Sequence, residues 1–413
     1  MLLHQADKLV SGTLATPIMQ SFGIDEAAMG FAISGSVLVG GLLYPVWGIL
    51  FDRWSRVRLV ALAALLWGAT TWTSAIAPTY SLFVVSRAST GIDDASYPGV
   101  YSLLADYFPP MLRGRVYGAL KMTMPAGYLL GAVAASLLLP HVGWRGVFVV
   151  TGAGGIIVAA LLLLLVRDVP RGASEPELAG HGVPEVRFDR RVALGLLHNR
   201  TLVALYAQGF FAVFPANVLT WWFVRYLETE RNYAPGQMLA TIVLVVVALG
   251  IGYPVAGALS DRLFRWNPRG RFLAGSLTLA GTLIVIAALR IPVAHPAVFA
   301  ALLATGAFLI PFAGPSVAAA ICDVTLPEVR STSVAAQYFV ETIGAAAAPA
   351  VAGVLAGFGG LGNAFVIVLS TAAACWAIPW LLAAAWYPRE LERTRAVLRE
   401  RTVAAGAGQV SAQ

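Results

Sequence analysis

Charge is scarce in this chain. Only 12% of its 413 residues are Asp, Glu, Lys or Arg, against 58% hydrophobic, and a soluble globular domain carries about twice that share of charge. A soluble fold is therefore excluded. Cysteine is nearly absent too: Cys322 and Cys375 both fall within or at the end of apolar stretches, which excludes a disulfide framework and a thiolate metal centre. No metal or other cofactor is expected. A cleavable signal peptide is also missing, because His4, Asp7 and Lys8 interrupt the first apolar stretch and no basic lead or small-residue cleavage pattern surrounds it. Met1 lies almost directly in that stretch, which suggests a start upstream of it.

What the chain has in abundance is long apolar runs. Windows of about twenty residues, the length that crosses a bilayer as a helix, give twelve spans at 1–19, 28–50, 59–77, 81–107, 114–139, 143–166, 201–226, 237–259, 272–290, 297–321, 333–357 and 361–386. If odd-numbered spans run outward, the inner segments (51–58, 108–115, 167–200, 261–271, 327–332 and the tail from 388) hold 21 of the 28 Lys and Arg, and the outer connections hold only Arg145, Arg231 and Arg290. Such a bias predicts a cytoplasmic central loop and C-terminus. Topology thus explains the net charge of +7, and nucleic acid is not expected as a partner. The segment 167–200 reads as a linker. The tail from Pro388 reads either as a short amphipathic helix on the inner leaflet or as disordered chain.

Two copies of one pattern lie half a chain apart. Gly48-Ile-Leu-Phe-Asp52-Arg53 recurs as Gly257-Ala-Leu-Ser-Asp261-Arg262, and Pro98, Asp106 and Arg113 repeat at the offsets of Pro315, Asp323 and Arg330. Duplicated halves with several spans each are the architecture of a secondary transporter, where a site between two pseudo-equivalent bundles is exposed by rocking. The first copy also resembles the cytoplasmic loop motif of the major facilitator superfamily, G-x-x-x-D-R-x-G-R-R, with Ser55 in place of the second glycine. That resemblance implies an all-α membrane protein of twelve transmembrane helices in two pseudo-symmetric six-helix bundles. The expected division is 1–166 and 201–387 for the bundles, 167–200 for the linker and 388–413 for the tail. A carboxylate at a helix C-terminus needs a nearby cation or the N-terminus of another helix. Arg113 and Arg330 are the expected partners of Asp52 and Asp261; together with Arg53 and Arg262 these residues form the expected cytoplasmic gate.

Charges inside spans are costly and mark function. They are Asp7, Lys8, Arg87, Asp93, Asp94, Lys121, Arg225 and Glu341. At 1.5 Å per residue, Asp7 and Asp94 lie roughly 18 and 20 Å from the outer ends of their spans, both near the midplane. Arg87, Gly91, Asp94 and Pro98 follow i, i+4, i+7 and i+11, which places an arginine two turns above a carboxylate on one helix face, with Asp93 pointing elsewhere. Such a pair either loads and releases a proton as it moves or simply ties helices together. His4, one turn before Asp7, is expected to share its proton, or else to form a hydrogen bond near the inner surface. Lys8 pairs with Asp93 or Asp94, or extends to the interface. Glu341 is the strongest second-half candidate for substrate contact, alongside Arg87, Tyr97, Tyr101, Gln208 and Asn217. The plainer reading of the uncharged groups is interhelical hydrogen bonding.

Within the superfamily, Arg87-Ala-Ser-Thr-Gly91-Ile-Asp-Asp94-Ala-Ser-Tyr97 resembles the spinster family's R-x-x-x-G-x-G-E-A-S-Y, and Val166-Arg167-Asp168-Val-Pro170-Arg171-Gly172-Ala173 resembles its V-R-E-P-P-R-G-A. The likeness covers the first half and hardly extends to the second. It implies proton-coupled export of lipid-like molecules, with Asp7 and Asp94 in the coupling positions. The expected activity is thus secondary transport of a small organic or lipid-like solute coupled to protons, by a monomer in the plasma (inner) membrane. An organic-anion symporter whose Arg87 binds the substrate is the second reading. A receptor or scaffold would not need mid-depth carboxylates. An intramembrane hydrolase lacks a second aspartate motif, and no enzymatic activity is expected.

Overall fold

The structure, a computed structural model, describes residues 1–178, 188–290 and 295–410. Among these the chain is almost entirely helical and contains no strand. An apolar solvent offers backbone N–H and C=O groups no partners, and a helix satisfies them within one segment. The first half comprises α1 (Leu2–Thr13), α2 (Ala15–Phe22), α3 (Glu26–Arg53), α4 (Arg56–Ile76), α5 (Tyr80–Ser89), α6 (Gly91–Asp94), α7 (Tyr97–Tyr107) and α8 (Pro110–Leu165). After α9 (Arg190–Gly195) come α10 (Arg200–Ala212), α11 (Phe214–Thr229), α12 (Pro235–Trp266), α13 (Gly270–Gly275), α14 (Leu277–Arg290), α15 (Pro296–Leu309), α16 (Ala313–Asp323) and α17 (Arg330–Val410). Every expected span falls on helix, and eight helical stretches are long and apolar enough to cross a membrane.

Side chains mark the helix starts. Asp25, Ser55, Thr79 and Asn199 each accept the backbone N–H three residues on, at Ala28, Arg58, Leu82 and Leu202. The 56-residue α8 and the 81-residue α17 each join two expected spans across a glycine of positive φ, Gly143 at 66° and Gly360 at 82°. A Cβ at Gly143 would meet nothing within 4 Å, so the left-handed backbone alone calls for glycine there. The span expected at 81–107 is broken into three pieces. Thr90 Oγ1 turns back to the carbonyl of Arg87 at 2.7 Å, and Pro98 cannot donate to the preceding turn and starts α7 afresh. Gly91 lets α6 press onto α3, since a side chain there would overlap Ser36 and Gly40.

By its internal contacts the chain forms two compact units: Met1–Leu104, Thr123–Arg171 and Glu328–Ala336 in the first, Ala105–Met122, Gly172–Pro327 and Gln337–Gln413 in the second. The first has a core around Phe83, Trp144 and Phe148 and a smaller one at Trp47 and Phe51. The core of the second is built on Phe299, Phe365 and Leu369. Large apolar side chains are also displayed on helix surfaces, Leu164 at 79% exposure and Ile378 at 66% among them, as a hydrocarbon solvent requires.

The tail is helical, as one of the two expectations has it. α17 continues through Pro388 without a break, and Leu391, Leu398 and Thr402 are buried. Arg395 Nε lies 3.3 Å from Glu177 Oε1, and Thr402 donates to the Glu177 carbonyl at 3.1 Å. Through Arg395 and Thr402 the tail is tied to Glu177 in the turn Pro176–Leu178 of the linker segment.

Candidate functional site

Four ionisable groups of the first unit converge. His4 Nε2 lies 2.6 Å from Asp93 Oδ2 and 3.4 Å from Asp94 Oδ1, and Lys8 Nζ pairs with Asp94 Oδ2 at 3.0 Å. The other ring nitrogen of His4 is 2.9 Å from Tyr97 Oη, which accepts from Gln5 Nε2 at 2.7 Å. The His4 ring thus bridges Tyr97 and Asp93. Asp7, 2% exposed, accepts from Thr71 at 3.1 Å through one oxygen, and its other oxygen has no hydrogen-bond partner among the described residues.

Three expectations are corrected here. Arg87 does not pair with Asp94, which Lys8 holds; it donates to Thr90 at 3.4 Å, lies over the Phe148 ring at 5.4 Å, and leaves Nη1 without a hydrogen-bond partner among the described residues. The breaks at Thr90 and after Asp94 interrupt the helical register on which the shared face depended. His4 bonds Asp93 and not Asp7. Asp93 itself points into the cluster, so a chemically central residue was missed; the adjacent Asp93-Asp94 pair signalled it, but ideal-helix geometry turned it away.

His4, Asp93 and Asp94 bring ligand atoms within 4.8 Å of one another. A metal holding two such donors at about 2.1 Å separates them by about 3 Å or more, whereas His4 and Asp93 are closer than that and Lys8 already occupies Asp94. The arrangement is that of a hydrogen-bonded ion cluster.

Of the other expected contact residues, Tyr101 is buried at 2% exposure. In the second unit, Gln208 donates to the Leu205 carbonyl and accepts from Trp376 Nε1 at 2.7 Å. Asn217 donates to Val213 of its own helix at 2.8 Å. Glu341 accepts from Gln337 at 2.7 Å, and Lys121 Nζ lies 5.7 Å from the centre of the Tyr338 ring. Gln208 thus bonds through both ends of its amide and Asn217 through its Nδ2, while Glu341 and the Tyr338 ring beneath Lys121 lie within one turn of α17.

At the duplicated loops, Asp52 accepts the backbone N–H groups of Ser331 and Thr332 at 2.9 and 2.6 Å. Asp261 accepts those of Gly114 and Arg115 at 2.9 and 2.8 Å, and pairs with Arg271 at 3.2 Å. Arg113 is not the partner of either aspartate: it binds Asp323 at 3.0 Å and Glu175 at 2.5 Å. Asp323 also receives Arg271 at 2.8 Å and the Tyr387 hydroxyl at 2.8 Å. Arg330 is buried at 1% exposure, whereas Arg53 and Arg262 are exposed and Arg262 lies over Trp266 at 5.9 Å. Sequence reasoning offered helix N-termini as an alternative to cations; for Asp52 the N-terminus is the answer. Arg271, Glu175 and Tyr387 were missed, since nothing local distinguishes them from neighbouring loop and helix residues.

A transporter architecture is what these helices and clusters describe, and the model of the Major Facilitator Superfamily matches residues 1–308. The chain belongs to this superfamily of membrane transporters and is a multi-pass integral membrane protein. It is 27% identical to the cis,cis-muconate transport protein of Acinetobacter baylyi over 92% of this chain and 91% of that one. Protein spinster of Drosophila melanogaster is 27% identical over 65% of this chain and 45% of its own length, so the match spans less than half of that relative. The 3-(3-hydroxy-phenyl)propionate transporter of Escherichia coli is 28% identical, with 63% of each chain covered. Among solved structures, a bacterial homologue of the iron transporter ferroportin superposes with TM-score 0.72 at 13% identity over 93% of this chain and 96% of that one. A bacterial homologue of the human lysosomal transporter spinster gives 0.54 at 20% identity, with 96% of both chains covered. These two likenesses are of fold. The chain resembles the spinster proteins within the superfamily, and its relatives are transporters rather than enzymes.

Proposed function

We propose that this protein moves a small organic or amphiphilic solute across the membrane by alternating access, coupled to protons bound at the His4–Asp93–Asp94–Lys8 cluster and Asp7. The sum of the charges inside the spans of the first unit carries this reading. Three buried carboxylates, Asp7, Asp93 and Asp94, stand against two fixed cations, Lys8 and Arg87. One proton, taken by His4 or by a carboxylate, brings the sum to zero. Buried net charge is costly in a bilayer, so proton uptake and release are tied to whether the cluster faces water.

Asp7→Asn and Asp94→Asn remove a titrating group at nearly constant volume. Each is expected to abolish accumulation driven by a pH gradient in proteoliposomes while leaving the protein folded and inserted. Full gradient-driven uptake in both variants would falsify proton coupling here.

A second reading concerns the solute. Arg87 is 6% exposed with Nη1 unpartnered among the described residues, and two relatives carry organic carboxylates by name. An organic anion held by that guanidinium fits both observations. Arg87→Lys replaces a planar fork by a point charge, and at least a tenfold loss of affinity for a carboxylate substrate is expected; wild-type affinity would sink the anion reading. The helix-end contacts of Asp52 and Asp261 are proposed as cytoplasmic latches, with the linker and C-terminus in the cytoplasm, the protein a monomer, and the host membrane the plasma membrane.

A further inference from the structure

An exposed groove in the second unit joins the start of α10 to the stretch Pro379–Trp386 of α17. Val203, Ala207 and Leu382 form its apolar part, and His198, Arg200 and Trp386 stand at its polar end. Among the described residues no acidic one lines it. Along α17, Leu382, Trp386, Arg389 and Arg393 follow i, i+4, i+7 and i+11, so one helix face runs from aliphatic to aromatic to cationic. Along α10, Arg200, Val203 and Ala207 follow i, i+3 and i+7 in the opposite chain direction. Both stripes therefore grade from cation to hydrocarbon along the same line. Tryptophan and arginine at such a boundary are the residues that sit at lipid headgroup level. Arg200 opens a helix, where its charge adds to the positive end of the helix dipole instead of offsetting it. Arg200, Arg389 and Arg393 are exposed, and none of them has an ion-pair partner among the described residues. The end of the groove is electropositive, and its floor is apolar.

We propose that this groove binds a phospholipid with an anionic headgroup, its acyl chain along Val203, Ala207 and Leu382 and its phosphate held by Arg200, His198 and Arg389. The proposed orientation is used only to assign the lipid to the cytoplasmic leaflet; the site itself does not depend on the transport reading. A zwitterionic headgroup would bring its own cation beside the arginines and cancel the net attraction, and a free phosphate would leave the apolar floor uncovered.

The test titrates purified full-length protein in neutral detergent with phosphatidylglycerol, phosphatidylcholine and glycerol phosphate, counting bound lipid by native mass spectrometry and following thermal unfolding. A ligand of the folded state raises the unfolding temperature. Phosphatidylglycerol is expected to bind most tightly and to stabilise most. Arg200→Gln and Arg389→Gln are each expected to weaken it about fivefold, the equivalent of about 1 kcal/mol per cation near a lipid surface. Arg399→Gln, an exposed tail arginine paired with Glu392 at 3.0 Å, is expected to leave it unchanged. Both groove arginines are exposed, so each variant should unfold at the wild-type temperature without lipid, which separates lost binding from lost folding. Equal affinity for phosphatidylcholine, an unchanged affinity in both groove variants, or equal competition by glycerol phosphate would each overturn the proposal. Asp94→Asn should lose proton-driven transport yet keep this lipid, so the two readings fail separately.

Discussion

Asp52 and Asp261 occupy equivalent positions in the two copies of the loop motif, and their surroundings agree in one respect and differ in another. Each carboxylate takes a pair of successive backbone N–H groups near the start of a helix, α17 for Asp52 and α8 for Asp261. An anion there meets the positive end of the helix dipole. Only Asp261 has an arginine besides. Arg271 ties it to Asp323, which holds Arg113 and Tyr387, and Arg113 reaches Glu175 of the linker segment. Asp52 has no ion pair among the described residues. The duplicated spacing thus conserves the capture of a helix end within the chain, while one copy has been built into a buried ionic network and the other left as a lone carboxylate on two amides.

The comparison breaks most severely at Arg271, which is fully buried. Arg271→Ala leaves Asp261 and Asp323 facing each other's environment with one cation fewer, and removing one partner of a buried pair costs about 3–5 kcal/mol. Thermal unfolding in detergent should show a large loss of stability, whereas an unaltered midpoint would mean the network contributes nothing. Next in size is Asp52→Asn. The amide still fills the site but loses the charge that two N–H groups share, and a hydrogen bond to a charged group contributes about 1.5–3 kcal/mol. In a background lacking Cys322 and Cys375, a reporter cysteine on the cytoplasmic side should alkylate about tenfold faster or more, since a bias of that size moves a two-state ratio by at least that much. An unchanged rate in folded, correctly oriented protein would reject the latch. Arg395→Gln loosens the half-exposed contact between tail and linker and is expected to cost about 0–1 kcal/mol, read as faster hydrogen exchange at residues 391–402. The smallest effect belongs to Arg262→Gln. Its side chain is exposed, so stability should change by less than about 0.5 kcal/mol and the alkylation rate not at all; a marked change would restore Arg262 to the gate.

The helices were legible because the bilayer imposes one length and one polarity on every span. Their breaks were partly legible: Pro98 announces the restart at α7, whereas Gly143 and Gly360 resemble any other glycine in a chain that has 41. The depth of Asp7 and Asp94 could be counted from span ends, but their partners could not. Arg87 and Asp94 share a face only on an unbroken helix, and the turn at Thr90 and Gly91 gives Asp94 to Lys8 and Asp93 to His4. The tail offered an amphipathic pattern, but its ties to Glu177 through Arg395 and Thr402 were not in that pattern.

By itself the sequence determined the solvent, the helical class, the membership of a transporter superfamily, and which buried charges must matter, because a scarce charge within an apolar span is costly wherever the chain places it. Only the tertiary structure decided which charge answers which. Ion pairs and helix-end contacts form between residues as far apart in the chain as Asp52 and Ser331, and the helix breaks around Asp93 and Asp94 give Asp94 to Lys8 where an unbroken helix would turn it toward Arg87. Local spacing carries no record of either.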